Sequence, residues 1–414
     1  MVRVELEAFA EEVFEPFARR DQRRWGQVYL RGLLTDGKRK SVEPMAARLG
    51  GDGNRQALAN FITTSPWDPA HIRARLAWRM ETAIGPKALI FDDTGFLKDG
   101  TASACVSRQY TGTAGKVTNC QVGVSLHLAS DRASAAVDWR LFLPQTWDPA
   151  SPKADPDKTA RRQRCGIPDD VGHVEKWQLA LDMVDETRSW GIEVPLVIAD
   201  AGYGDAAAFR LGLGERGLNY VVGISTTMSA QPGQAVPVAE PYCGTGRPPV
   251  PKYPTPARSV KQLAIAAGRK AARPVQWREG SRPGTGRSGR KRMYSRFTAL
   301  RIRPAGREIR QATDGPELPA CWLLAEWPAD QSEPVQFWLS DLPPDTPLTT
   351  LVRLAKLRWR IEHDYREMKQ ALGLAHFEGR TFSGWHHHVT LVSAAHVFCT
   401  LQRLAPDPKD ATQA

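Results

Sequence analysis

The chain is poor in cysteine, and none of its cysteines is paired in sequence. Its six (Cys105, Cys120, Cys165, Cys243, Cys321 and Cys399) never fall in a CxxC spacing, which excludes a zinc ribbon or a disulfide framework and predicts reduced thiols. Long apolar runs are also missing. The longest, 389–399, is well short of the roughly 20 residues that cross a bilayer, and the first twenty residues lack the basic start and apolar stretch of a signal peptide. These absences predict a cytoplasmic protein with no membrane partner. There is no GxSxG elbow and no evident Cys/His pairing, so a metal-free covalent hydrolase is disfavoured. Acid is nearly absent from one stretch. Between 251 and 300, Glu279 alone stands against thirteen Lys and Arg, a surplus of twelve that exceeds the +11 of the whole chain.

What is present describes a globular chain of 414 residues, 42% hydrophobic and 24% charged. The net positive charge suits a polyanionic partner, because neutralised phosphates release condensed counterions; on charge alone, a merely basic protein reads equally well. Five segments emerge. Residues 1–85 read as a helical, DNA-binding domain: helices at about 42–49 and 54–63 flank a Gly-rich turn, in the manner of a helix-turn-helix. Asn54, Arg55 and Gln56 would then face DNA, with Lys38, Arg39 and Lys40 just upstream. A plain helical cap on the next domain is the alternative. Residues 86–224 read as the first part of an α/β core, with strands at 88–91, 120–128, 135–143, 194–199 and 219–224 and a helix at 176–190. Residues 225–345 form a basic, β-rich insertion whose Tyr253, Trp277 and Tyr294 interleave with charge, as on a surface laid against nucleic acid; Arg287, Arg290 and Lys291 are its candidate DNA contacts. Residues 346–404 are helical, with one helix over 348–372, and 405–414 form a frayed tail.

The candidate chemistry lies in acids. Asp93 and Asp200 each follow an apolar run and read as sitting at the end of a buried strand, where an acid can enter the crevice beyond the sheet. A strand-end Asp is also an ordinary turn former. In the C-terminal helix, Arg358, Glu362 and Lys369 fall within about 40° of one another, beside an apolar face of Leu354, Leu357, Ile361, Met368 and Leu372. Glu367 points about 140° and Asp364 about 200° from Glu362, so geometry selects Glu362. The competing reading is an i, i+4 ion pair of Arg358 with Glu362. Three carboxylates on separate elements can hold two Mg²⁺ ions about 4 Å apart for in-line phosphoryl transfer, with Arg and Lys on the phosphate; Mn²⁺ could substitute. His386, His387 and His388 splay around a helix and cannot share one metal, which favours packing or DNA backbone contact.

Together these motifs are specific. They comprise 27–41 with Tyr-Leu-Arg-Gly-Leu-Leu, Ile-Phe-Asp-Asp-Thr-Gly-Phe-Leu-Lys-Asp-Gly at 90–100, Arg-Gln-Tyr at 108–110 and Asn-Cys-Gln-Val at 119–122. Further on come Ala-Asp-Ala-Gly-Tyr-Gly at 199–204, Phe-Trp-Leu-Ser-Asp-Leu at 337–342, Phe-Glu-Gly at 377–379 and Gly-Trp-His-His-His at 384–388. Over most of its length the chain resembles the DDE transposases of bacterial insertion sequences, most closely insertion-sequence family 701. The resemblance implies a ribonuclease-H-like, retroviral-integrase-like mixed sheet, with the basic β-rich insertion placed before the last acid. It implies Asp93 rather than Asp92 as first acid, since Thr94 follows it directly, Asp200 as second and Glu362 as third, all as metal ligands. It implies terminal-phosphate contacts for Arg358 and Lys369, while Ala355 stands where the signature has Tyr. The expected reaction is cutting of double-stranded DNA at terminal inverted repeats and transfer of the 3′-hydroxyl to target DNA, by a homodimer in the synaptic complex at the nucleoid. Two alternatives share these residues: a metal-dependent nuclease without strand transfer, and an inactive DNA-binding remnant or repressor, favoured by Ala355 alone.

Overall fold

The computed structural model describes residues 2–247, 249–283 and 290–405. They gather into two compact units, Met1–Val194 with Trp359–Ala414, and Pro195–Arg358. Among the described residues no helix is long and apolar enough to cross a membrane.

The first unit opens with five helices: α1 (Val2–Phe14), α2 (Arg20–Leu34), α3 (Val42–Leu49), α4 (Arg55–Thr63) and α5 (Pro69–Ile84). Local chemistry starts two of them. Asn54 accepts from Ala57 N at 2.9 Å to cap α4, and Asp68 caps α5 ahead of Pro69 at its first position. Four strands follow: β1 (Ala88–Leu97), β2 (Ser107–Thr111), β3 (Lys116–Ala129) and β4 (Ser134–Leu141). All their pairings are antiparallel. The first part of β3 carries β2, and the rest carries β1 and β4. Short helices α6 (Pro156–Thr159) and α7 (Arg162–Cys165) lead to α8 (Lys176–Ser189).

The second unit contains β5 (Leu196–Ala199), α9 (Ala201–Gly204), α10 (Ala207–Glu215), β6 (Asn219–Ile224), β7 (Ser229–Pro232), β8 (Arg258–Ser259) and α11 (Val260–Ala267). It continues with β9 (Arg273–Pro283), β10 (Arg290–Pro304), α12 (Arg307–Gln311), β11 (Cys321–Glu326), β12 (Gln336–Ser340) and α13 (Leu348–Leu357). Its strands run β5-β6-β12-β11-β10-β7-β8, with β9 also on β10, and β5–β6 is the parallel pair. Lys356 fastens α13 to this sheet. Its ammonium lies 2.6 Å from Glu326 and 5.0–5.6 Å from the ring centres of Trp277, Phe297 and Trp338, a cation held by both carboxylate and π-faces.

The chain then returns to the first unit through α14 (Trp359–Gln370) and α15 (Phe382–Leu404). Every residue of α15 from Gly384 to Phe398 is buried, four histidines, Thr390 and Ser393 included. It packs on α2, α4, α5 and β4.

Three expectations need correction. The strand expected at 88–91 runs on to Leu97, paired with β3 along its whole length. Asp93 therefore lies in mid-strand rather than at a strand end, because the ladder does not stop where the apolar run stops. β2 was unforeseen, since Ser-Arg-Gln-Tyr-Thr offers no apolar periodicity. The helix expected over 348–372 is two helices, broken at Arg358, whose N–H turns back to Lys356 O.

Candidate active site

On β1, Asp92 and Asp93 face opposite sides of the pleat. Asp92 is buried, and its Oδ1 accepts from the Asp93 backbone N–H at 2.8 Å. Asp93 is part-exposed, and its Oδ2 accepts from Lys176 Nζ at 2.6 Å. Lys176 opens α8, whose start is fixed by the Glu175 N–H donating to Gln178 Oε1 at 2.9 Å, and its ammonium lies 5.6 Å from the Phe142 ring. Sequence reasoning missed Lys176. It lies 83 residues from Asp93, and nothing local to either residue announces the pair.

Two residues past Asp93, Gly95 meets the turn between β2 and β3. A Cβ there would come within 2.0 Å of Thr111 Oγ1, so only glycine allows the approach. Thr113 Oγ1 accepts from Gly95 N at 3.1 Å, and Lys369 Nζ donates to Thr113 Oγ1 at 2.9 Å and to Gly95 O at 3.2 Å. Lys369, read from sequence as a phosphate contact, is here a bridge from α14 to β1 and the β2–β3 turn. Burial pushes its ammonium down to about 8.

Glu362 is exposed on the first turn of α14, a favourable end for an acid. Its neighbours are committed elsewhere. Asp364 is buried and accepts from Ser134 Oγ at 2.7 Å and His127 Nδ1 at 3.1 Å; burial alone would raise its carboxyl, but these partners and His396 hold it below the ordinary value. Glu367 takes both oxygens to Arg403 Nη1 at 2.7 Å, and hydrogen bonding to His396, opposed by burial and aided by Arg403, brings it down to about 2.

In the second unit, Asp200 directly follows β5 as expected and caps α9, its Oδ1 accepting from Gly202 N at 2.9 Å. Arg358 closes α13, and Ala355 is buried within that helix. The three acids are thus divided: Asp93 and Glu362 in the first unit, Asp200 in the second.

The remaining described candidates lie on α4, β10 and α15, or cap the first of them. Asn54 caps α4. Arg55 is exposed, 4.0 Å from Glu43, and Gln56 donates to Asn60 Oδ1 at 3.0 Å. Arg290 and Lys291 lie on β10, and Arg287 falls outside the described residues. The three histidines pack, as expected. His386 Nε2 receives Leu141 N at 3.3 Å, His387 stacks on Trp67 with ring centres 3.8 Å apart, and His388 Nδ1 meets Tyr29 OH at 3.0 Å. The last contact joins two of the motifs that carried the resemblance.

A family model described as DDE superfamily endonuclease matches residues 12–284. The chain belongs to this family of DDE superfamily endonucleases. The matched stretch takes in Asp93 and Asp200 and ends before Glu362. A probable transposase for insertion sequence element IS701 from Microchaete diplosiphon is 33% identical over 196 residues, which is 47% of this chain and 46% of that relative. The alignment thus spans about half the length of the relative. The mixed α/β fold agrees with the ribonuclease-H-like core that the resemblance implied.

The carboxylates offer only oxygen, the donor set of a hard divalent cation. Asp93 already faces a cation in the Lys176 ammonium. Among the described residues, no three His, Cys, Asp or Glu side chains form a ready-made metal cluster.

Proposed function

We propose that this endonuclease is a DNA transposase of an insertion sequence, acting on terminal inverted repeats and target DNA. What supports this most directly is Asp93: a carboxylate set by a fully paired strand and turned toward a cation, in a chain whose relative is a probable IS701 transposase. Asp93, Asp200 and Glu362 would hold two divalent ions, Mg²⁺ or Mn²⁺. When bound, such ions neutralise phosphate charge and acidify the attacking water. In the first step an oxygen–phosphorus bond forms from water as the bond to the 3′-oxygen breaks, leaving a 3′-hydroxyl. In the second, that hydroxyl attacks a target phosphodiester and displaces its 3′-oxygen. Lys176 keeps Asp93 in place, and Arg358 and Lys369 meet the terminal phosphates.

The five segments divide the labour. Residues 1–85 bind the ends through Asn54, Arg55 and Gln56, and the basic insertion with Arg287, Arg290 and Lys291 follows the duplex. The acids come from 86–224 and 346–404. Joining two ends calls for two copies of the chain. The test is incubation of the protein with its element's terminal repeats, a target plasmid and Mg²⁺. Cleaved ends and joined products are expected; an inert wild type, or an Asp93→Ala variant that cuts equally well, would sink the proposal.

Lys369 adds a pH signature. A lysine whose folded value is lowered from 10.5 to about 8 loses its charge as pH rises through 8, so its help in holding phosphate should fade between about pH 7 and 9. The sign for stability is opposite: its buried charge opposes folding below pH 8, and this opposition disappears as pH rises toward 10.5. Lys369→Arg stays charged throughout. Repeat-DNA affinity measured from pH 7 to 9 should fall more steeply for wild type than for Lys369→Arg; parallel curves would refute the role.

A further inference from the structure

The helical start of the first unit is polarised in charge. Residues 1–18 hold one Arg and five Glu, whereas residues 19–64 hold ten Lys and Arg against four acids, a surplus of six. Two of the α1 acids are spent on α5, Glu12 with Arg79 at 3.5 Å and Glu15 with Arg75. At the start of α2, by contrast, Arg19, Arg20, Arg23 and Arg24 are all exposed, and the acid among them, Asp21, pairs with Arg19 at 2.8 Å. Arg20 and Arg24, four apart, share a face of the helix. The Arg24 guanidinium lies 5.1 Å from the Trp25 ring centre, which orders a long side chain before any ligand arrives.

Trp25 also forms one wall of a cleft of about 350 Å³, and Ala57, Asn60 and Thr64 line its α4 side. Gln56 and Asn60 lie one turn apart on the exposed face of α4, with Gln56 Nε2 donating to Asn60 Oδ1 at 3.0 Å. That bond steadies both amides and leaves Asn60 Nδ2 and Gln56 Oε1, a donor and an acceptor, available. At about 100° per residue Ala59 and Thr63 share this face, so no bulky side chain would hold a duplex away. The major groove admits a helix, and a side-chain amide matches the N6 donor and N7 acceptor of adenine there. Asn54 spends its Oδ1 on the α4 cap, so base reading passes to the amides further along.

We propose that α4 enters the major groove of the terminal repeat, where Asn60, steadied by Gln56, reads an adenine, while Arg20 and Arg24 hold phosphates alongside. This inference rests on the transposase reading and deepens it, because it names the groups that tell the repeat from other DNA.

The experiment uses the full chain and labelled terminal-repeat duplexes in which each base pair is changed in turn, with Ca²⁺ for binding and Mg²⁺ for cleavage. For wild type, changing one A·T pair should weaken binding about tenfold. Asn60→Ala should weaken binding to the native repeat about tenfold and erase the preference at that pair. Arg20→Ala and Arg24→Ala should weaken every duplex alike, and each should lower the slope of log affinity against log salt by about one. All three side chains are exposed, so melting of the variants should match wild type. If wild type cuts the repeats while Asn60→Ala keeps every base-pair preference, or the arginine variants keep the salt slope, the inference is wrong and the transposase reading stands. If wild type neither binds nor cuts the repeats, both fall together.

Discussion

Glu362→Gln is expected to abolish DNA cleavage, by roughly 10⁴-fold, the scale on which loss of a catalytic side chain is felt, while leaving the melting temperature unchanged. The side chain is exposed on the first turn of α14, so little packing is at stake. The two neighbouring acids supply controls with the opposite pattern. Asp364→Asn should retain substantial cleavage but lose about 1–3 kcal/mol of stability, because a buried carboxylate with Ser134 and His127 as donors is replaced by a group that satisfies them poorly. Glu367→Gln should cost stability at pH 7 and matter little in acid. A carboxyl lowered to about 2 contributes stability above its ordinary value of 4.5, and that contribution is lost as pH falls from 4.5 toward 2. Cleavage of repeat DNA alongside thermal melts at pH 7 and pH 3 separates the three. A Glu362→Gln variant that still cuts, or an Asp364→Asn variant that loses cutting without losing stability, would move the third acid away from Glu362.

The same three acids show what was legible in the sequence. Helical spacing separates Glu362 from Asp364 and Glu367 by angle, and in the structure Glu362 is exposed, Asp364 buried and Glu367 half-buried, because angle on a helix decides which side chains meet the core. The apolar runs of β5 and β6 were readable for a similar reason: each is a short buried strand with its own hydrophobic signal. What escaped was whatever depends on partners distant in sequence. β2 is polar, and it is a strand because β3 supplies its ladder. The far half of β1 likewise owes its extension to β3, which is why Asp93 was misplaced at a strand end. Lys176 could not be tied to Asp93 from sequence, and Lys369 gave no hint of its attachment to Thr113. Gly95 makes room for Thr111, a contact equally invisible in the local sequence.

The second large effect concerns stability rather than chemistry. Arg73 on α5 and Asp138 on β4 form an ion pair at 2.8 Å with almost no exposure of either side chain. Arg73 also donates to Thr390 on α15 at 3.1 Å, so one guanidinium joins α5, β4 and α15. Arg140 gives Asp138 a second cation at 2.8 Å and also pairs with Glu186 of α8. Burial lowers the Arg73 guanidinium below its ordinary value, only partly offset by Asp138. The charge is therefore held at a cost, and the arrangement is stable only while the pair is complete. Removing one partner of a buried pair costs about 3–5 kcal/mol when the other is left uncompensated; Asp138 keeps Arg140, so the loss of Arg73 should fall at the lower end of that range. Arg73→Met should accordingly lower the melting temperature by roughly 10 °C. The double variant Arg73→Met with Asp138→Leu should recover much of the loss, since a buried pair replaced by apolar groups of similar size is often near neutral. Recovery identifies the stranded carboxylate as the cause; an equally unstable double variant would instead assign the loss to the Thr390 contact and the packing of α15. Cleavage by either variant, measured well below its melting point, should stay near wild type, because Arg73 holds the helices together and touches none of the three acids.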